Sequence, residues 1–196
     1  WRLVKTREEI GKAAVSLGFP VVIKVSSASI AHKSAMGGVV LDVKDETAAV
    51  AAWDAIAVAV ETNPRRPQTD GVLLMPMRTR GLVLILGVRR DSTWGLALVV
   101  GLGGVWTELM QDVAVVPLPA SRREILCLLQ SLRGHRLLAG GHGVPPADLD
   151  AVVTTALALA ALASTLGEEL ETLELNPLRV EGSRLEALDG LVVWRR

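Results

Sequence analysis

Apolar residues recur at Ile10, Ala13, Ala14 and Leu17, at the three- and four-residue intervals that put one stripe on a helix. Thr6 and Glu9 stand at capping-box spacing before that stripe and Gly18 stops it, so a helix is expected ahead of Pro20. The next run, Val21 to Val25, is short, β-branched and bounded by turn residues, the pattern of a buried strand, and it carries one charge, Lys24. Ser26 to Gly38 is small and polar and leads through Gly37 and Gly38 into a second strand, Val39 to Val43. Asp45 then caps a helix from Glu46 to about Val60, and Asn63, Pro64 and Pro67 end it before a strand from Gly71 to Met75.

Beyond Met77 the pattern turns antiparallel. Leu82 to Arg89 and Gly95 to Val100 read as a hairpin with its turn near Asp91 and Ser92, and Gly101, Gly103 and Gly104 make a tight turn. Val113 to Val116 is a brief strand, and Ser121 with Glu124 caps a helix through Leu132. A glycine-rich connection follows, holding His135 and His142 at a spacing unlike a zinc site. Asp148 opens a long Ala/Leu helix to Leu166, and Leu170 to Leu175, Leu178 to Val180 and Leu185 to Val193 are expected as three further strands.

Half of the 196 residues are hydrophobic, enough for one substantial core or two small ones, and 21 basic residues balance 21 acidic ones. With no basic field to collect nucleic-acid phosphates or anionic lipid heads, neither partner is expected. The apolar runs, Ala151 to Leu166 included, read as interrupted or too short for a membrane span. Cys127 lies in the apolar run Ile125 to Leu129 and is expected to be a buried, space-filling thiol in a reducing compartment, so a cytoplasmic protein is expected. The chain opens on Trp1 and runs straight into a helix pattern, which reads as an excised piece of a larger protein.

A lysine inside an apolar strand needs either an anion or a path to water, so Lys24 points at a phosphate or snorkels from an edge. The loop beside it tips the balance toward phosphate, because Ser27, Ser29, His32, Lys33, Ser34, Gly37 and Gly38 offer backbone amides and hydroxyls without bulk. The spacing matches neither a Walker loop nor a dinucleotide fingerprint. His32 in that loop has the chemistry to accept and pass on a phosphoryl group near neutral pH, the alternative being a solvent-facing histidine.

Gly18-Phe-Pro-Val-Val-Ile-Lys24-Val followed by His32-Lys-Ser-Ala-Met-Gly37-Gly38-Val is similar to the ATP-grasp segment of NDP-forming acyl-CoA synthetases. The resemblance continues through Gly71 to Met77, Gly87 to Asp91, Gly101 to Glu108, Leu175 to Leu178 and Ala187 to Asp189. It implies an α+β, two-lobed ATP-grasp fold, with a first lobe over 1–75, a second over 76–196 and a nucleotide cleft between them. It also implies ATP or ADP and Mg2+ as cofactors. The activity implied is conversion of acyl-CoA, ADP and phosphate to free acid, ATP and CoA by way of a phosphohistidine, with CoA-binding and phosphohistidine-bearing domains as partners in the same protein or complex. Related modules occur in protein acetyltransferases.

Carried over, the resemblance gives Lys24, with Ser27, Lys33, Gly37 and Gly38, to the nucleotide phosphates, and places Met75 and Met77 beside the adenine, where Met suits an apolar slot. Without it, those methionines read equally well as interior packing. Asn176 and Asp189 match the family's metal-binding pair, an oxygen set suited to magnesium. Glu174, two residues before Asn176, is expected on the same side of a strand as a further ligand or an orienting group. Arg90 is expected to steady transferring phosphate charge, with a solvated strand end as its alternative, and Glu108 matches a family acid.

Two positions depart from the family pattern, since Val83 and Pro76 stand where glutamates are usual. They keep open a second reading, a non-catalytic ATP-grasp module that regulates or supports its neighbours, for example in a protein acetyltransferase, and a third, an α/β interaction domain.

Overall fold

A computed structural model describes residues 1–30, 32–104, 111–141 and 144–195. The chain divides into two compact units, Trp1–Thr79 and Arg80–Arg196.

The first unit is a four-stranded antiparallel sheet with two helices. Strands β1 (Arg2–Val4), β2 (Val21–Ser26), β3 (Val39–Val43) and β4 (Gly71–Pro76) lie in the order β1-β4-β2-β3, and α1 (Ile10–Leu17) and α2 (Glu46–Glu61) pack together. Alternation sorts the strand residues by face. Val21, Ile23 and Val25 of β2, with Val72 and Leu74 of β4, are buried in one cluster with Ile10 and Ala14 of α1 and Ala49, Ala52 and Ile56 of α2. Val22 and Lys24 therefore point to the face turned away from the helices. Asp45 caps α2 as expected, its carboxylate accepting from the Ala48 amide at 2.7 Å. Thr6 makes no side-chain cap, and a short 3-10 turn, Arg7–Glu9, precedes α1 instead. Sequence periodicity also passed over β1, whose three residues pair only with β4.

The second unit has β5 (Leu82–Asp91), β6 (Gly95–Leu102), β7 (Val113–Pro117), β8 (Leu170–Glu181), β9 (Arg184–Ala187) and β10 (Gly190–Trp194). Five of them run in the order β10-β8-β5-β6-β7, and β9 pairs with β8 alone. Two helices, α3 (Arg122–Ser131) and α4 (Leu149–Leu166), pack on one face over a core of Leu84, Leu86, Val88, Leu98, Val100 and Leu102. The opposite face takes the alternate set, Val83, Ile85, Gly87 and Arg89 of β5 and their partners across the sheet.

Three expectations change here. The segments Leu170 to Leu175 and Leu178 to Val180 form one strand, β8, continuous through a bulge, while Leu185 to Val193 breaks into β9 and β10. Cys127 is exposed rather than buried, because α3 turns Ile125 and Leu129 to the core and Cys127 lies between them on the outer side. The Ala/Leu helix with its 3-10 extension, Leu149–Glu169, is long and apolar enough to cross a membrane by length and composition. Val152, Val153, Ala156, Leu159 and Ala163 on it are nonetheless packed in the core of this unit.

The α3 capping box is complete, Ser121 accepting from the Glu124 amide and Glu124 accepting from the Ser121 amide at 2.7 Å. Hydrogen bonds from the Ser121 hydroxyl and amide hold the Glu124 carboxyl below the usual carboxylate range. A group with a depressed folded pKa stabilises fully above its unfolded value, so this contribution is present at neutral pH and is lost as the pH falls through that range. Glu124→Gln is expected to flatten the acid limb of stability against pH, read by urea unfolding at stepped pH.

Asp112 is buried at 4% exposure and receives the amides of Arg133 and Gly134, both at 2.8 Å, which secures the chain after α3. Asp112→Ala leaves both donors without that carboxylate and is expected to cost about 2 kcal/mol, seen as a lower urea midpoint at unchanged slope.

Candidate functional site

Lys24 lies on an inner strand, opposite Leu73 of β4 and Val39 of β3, and is 6% exposed. The edge-strand alternative therefore does not apply to it. Met75 pairs with Val22, two residues before Lys24, so Met75 shares the face with Lys24. Both Met75 and Met77 are half-buried, and Met77 is fixed just past the end of β4 by its amide, which donates to the Pro20 carbonyl at 2.9 Å.

The loop after β2 is folded onto the strand rather than extended from it. Its closing glycine, Gly38, donates to the Lys33 carbonyl and accepts from the Val25 amide, each at 2.8 Å. A Cβ at Gly38 would meet Val25 Cγ1 at 2.7 Å and the Lys33 carbonyl at 3.0 Å, so only glycine fits. Gly37 is left-handed, at φ 76°, and ends the short 3-10 turn Ser34–Met36. Ser27 is already engaged, its hydroxyl donating to the Gln68 carbonyl at 2.5 Å and accepting from the Ser29 amide at 3.1 Å. In this structure it braces the loop. Lys33 is half-buried and His32 is exposed.

In the second unit, Asn176 and Asp189 come together from thirteen positions apart, the Asn176 amide donating to the Asp189 carbonyl at 3.2 Å. The Leu188 amide donates to the Pro177 carbonyl at 2.9 Å and continues the same strand pairing. Asp189 Oδ1 also accepts from the Gly190 amide at 2.9 Å. Glu174 faces away from the helices, opposite Gly87 of β5, where its Cγ sits 3.5 Å from the position a Gly87 Cβ would take. The register of β8 on β5 shifts between Leu84 and Leu86, with Leu175 and Leu178 as the flanking partners, so a bulge falls at Asn176 and Pro177. Strict alternation from Glu174 ends there, and the two-residue spacing does not by itself set the direction of Asn176.

One amide oxygen and one carboxylate suit a hard divalent cation that keeps most of its shell for water and phosphate oxygens, as magnesium does. The backbone contact brings the two residues together, and two such side chains would make an open site rather than a closed cage. Among the described residues no group of three or more His, Cys, Asp or Glu side chains is arranged to hold a metal.

Arg90 stands elsewhere in function. Its Nε donates to the Leu170 carbonyl at 2.9 Å and its Nη2 to the Gly167 carbonyl at 2.8 Å, so the guanidinium ties β5 to the turn between α4 and β8. Its partners are carbonyl oxygens, and the arrangement supports bracing rather than phosphate contact. Gly101, expected in a tight turn, is the paired end of β6, and Val83 fills space beside Gly103 just past that strand, where the Gly103 amide donates to the Val83 carbonyl at 2.8 Å and a Gly103 Cβ would meet Val83 Cγ1 at 2.5 Å. Glu108 and His142 lie outside the described residues. His135 is exposed, with Nδ1 2.9 Å from the Leu132 carbonyl. Sequence reasoning passed over Arg179, a buried charge on β8, although the signal that singled out Lys24, one cation inside an apolar run, was present at Leu178 to Val180.

Residues 1–193 match the ATP-grasp domain family. The chain is 34% identical over 191 residues to an ADP-forming acetate–CoA ligase I of Archaeoglobus fulgidus, covering 97% of this chain and 28% of that protein. It is 32% identical over 200 residues to the β subunit of the ADP-forming acetate–CoA ligase II of Pyrococcus furiosus, covering 99% and 83%. The chain thus spans about a quarter of the longer relative and most of the subunit. Among solved structures it is similar to the dinucleotide-forming acetyl-coenzyme A synthetase 1 of Ca. Korarchaeum cryptofilum in complex with coenzyme A and Ca-AMPCP, with TM-score 0.86, 29% identity and coverage of 99% and 84%. Another structure of that synthetase, at TM-score 0.74 and 26% identity over 97% and 83%, holds Mg-AMPPCP with its phosphohistidine segment pointing towards the nucleotide binding site.

Gly38→Ala is expected to push the loop off β2, lowering stability by about 1–3 kcal/mol and speeding hydrogen exchange at the Val25 amide, which loses the Gly38 carbonyl.

Proposed function

The chain belongs to the ATP-grasp domain family, and from that premise we propose that it is the nucleotide-binding module of an NDP-forming acyl-CoA synthetase. The observation that carries the reading is Lys24, a cation 6% exposed on an inner strand, beside a glycine-closed loop. An ammonium is a compact point charge with three donors, and nucleotide phosphates are an anion class suited to it. The similar synthetase of Ca. Korarchaeum cryptofilum was crystallised with a metal-bound nucleotide analogue, which supports the same ligand class here.

In this reading Lys24, Lys33 and the amides near Gly37 and Gly38 orient the phosphates, with Met75 and Met77 beside the base. Asn176 and Asp189 hold magnesium, and Glu174 orients or supplements them. A magnesium ion held there would supply positive charge to offset that on the phosphoryl group. His32, exposed on the loop, takes the phosphoryl group from a phosphohistidine of another domain, its ring nitrogen forming the new N–P bond as the old one breaks. It then yields that group to a terminal oxygen of ADP, giving ATP and restoring the imidazole. CoA-binding and phosphohistidine-bearing domains, in the same protein or in a partner, complete the acyl-CoA to acid conversion. Relatives in which this module is a separate β subunit or a quarter of one chain support that division.

Titration calorimetry with ADP and ATP, with and without magnesium, tests the module. Lys24→Met is expected to weaken nucleotide binding by about 1.5–3 kcal/mol, the value of a hydrogen bond to a charged group. Asp189→Ala is expected to remove the magnesium dependence, and wild-type affinity in both variants would overturn the assignment. In the complete enzyme, His32→Ala is expected to keep nucleotide binding and stop phosphoryl transfer; unchanged acyl-CoA turnover rules out the relay.

A further inference from the structure

The hairpin that carries Asn176 and Asp189 also carries one buried cation. Arg179 is 6% exposed, its Nε donates to the Arg80 carbonyl at 2.5 Å, and its Nη2 donates to Glu181 on the same strand. Its Nη1 lies 3.6 Å from Glu186 Oε2 and makes no hydrogen bond among the described residues. Arg179 is opposite Val83 on one side and Glu186 on the other, so one row crosses β5, β8 and β9 with the guanidinium at its centre. Cross-strand pairs of opposite charge set register as well as adding energy.

Register matters here because β9 is four residues long and, among the described residues, pairs with β8 alone. Asp189 follows Glu186 by three residues and Asn176 precedes Arg179 by three, so the ion pair lies close along both strands to the Asn176–Asp189 backbone contact. A one-residue slip of β9 would reverse the face of every side chain on it and break the Asn176 and Leu188 hydrogen bonds. Without Arg179, Glu181 and Glu186 would each lose its ion pair to the guanidinium between them.

We propose that Arg179 is a positioning residue for the metal end of the site, fixing through Glu181 and Glu186 the β8–β9 register that brings Asn176 and Asp189 together. The claim rests on the magnesium role given above to that pair. Arg179→Met and Glu186→Gln in the full chain break the tie from opposite sides, and Glu186→Gln carries the test if the first variant fails to fold. Both are expected to speed hydrogen exchange at the Asn176 and Leu188 amides. Both are also expected to weaken the magnesium-dependent part of ADP affinity on the order of tenfold to a hundredfold, as loss of a group that orients metal ligands does, while affinity without magnesium stays at the wild-type value. Arg179→Lys, which keeps the charge and loses the fork, is expected to recover part of both effects. Unchanged exchange at the two amides, or an equal fall in ADP affinity with and without magnesium, overturns the proposal. If wild-type ADP affinity does not respond to magnesium, the metal reading fails, and the exchange rates alone decide whether Arg179 sets the register.

Discussion

Among the described residues, the helices of each unit pack on one face of its own sheet, and that constraint organises everything else. The period of two in a strand sends alternate residues to opposite faces, so a sheet with helices on one side must make something of the other. In the first unit the helix side takes Val21, Ile23 and Val25, and the other side takes Val22 and Lys24 with Met75. In the second the helix side takes Leu84, Leu86 and Val88, and the other takes Val83 and Gly87 with Glu174 and Arg179. The groups with chemistry to offer collect where packing against helices does not claim them. Lys24 on the helix side would be an ammonium in a cluster of Ile, Val and Ala; on its actual side it can be buried and still meet an anion.

The same sorting explains why glycine recurs at a few places. Gly38 lets the loop return to within hydrogen-bonding distance of Val25, and Gly103 lets its turn lie against Val83. Both are close backbone approaches in which a methyl group would collide with a neighbour. These contacts hold loop segments against the sheets, so the segments bearing His32 and Gly104 leave from rigid ground.

Much of this was legible in the sequence, for a local reason. The β-branched run around Lys24, the Asp45 and Ser121 caps and the hairpin near Asp91 are all set by neighbours within a few residues, and each forms where the pattern put it. What escaped depends on partners far along the chain. Strand β1 exists because β4 offers it an edge, Asp112 is buried because Arg133 and Gly134 bring it two amides, and β8 stays one strand because a bulge absorbs Asn176 and Pro177. Cys127 misled for the complementary reason: an apolar run on a helix still has an outer side, and composition does not say which residue falls there. The meeting of Asn176 with Asp189 was implied by family resemblance, while their backbone contact is a product of strand pairing.

Lys24 and Arg179 present the same problem with different solutions. Each is a cation 6% exposed in an otherwise apolar stretch on an inner strand. Arg179 is neutralised within its own unit by Glu181 and Glu186, and a guanidinium is the group for it because one planar fork reaches a carbonyl and two carboxylates at once. An ammonium concentrates its charge at one point and suits a phosphate held at one place, which is the use proposed for Lys24. A buried charge with internal counterions adds order more than stability, because its desolvation cancels much of the attraction. Placed between Asn176 and Asp189 in the chain, that order goes to strand register. Arg179 is thus used within its own unit to steady the strands that carry Asn176 and Asp189, while Lys24 is the cation proposed to meet phosphate.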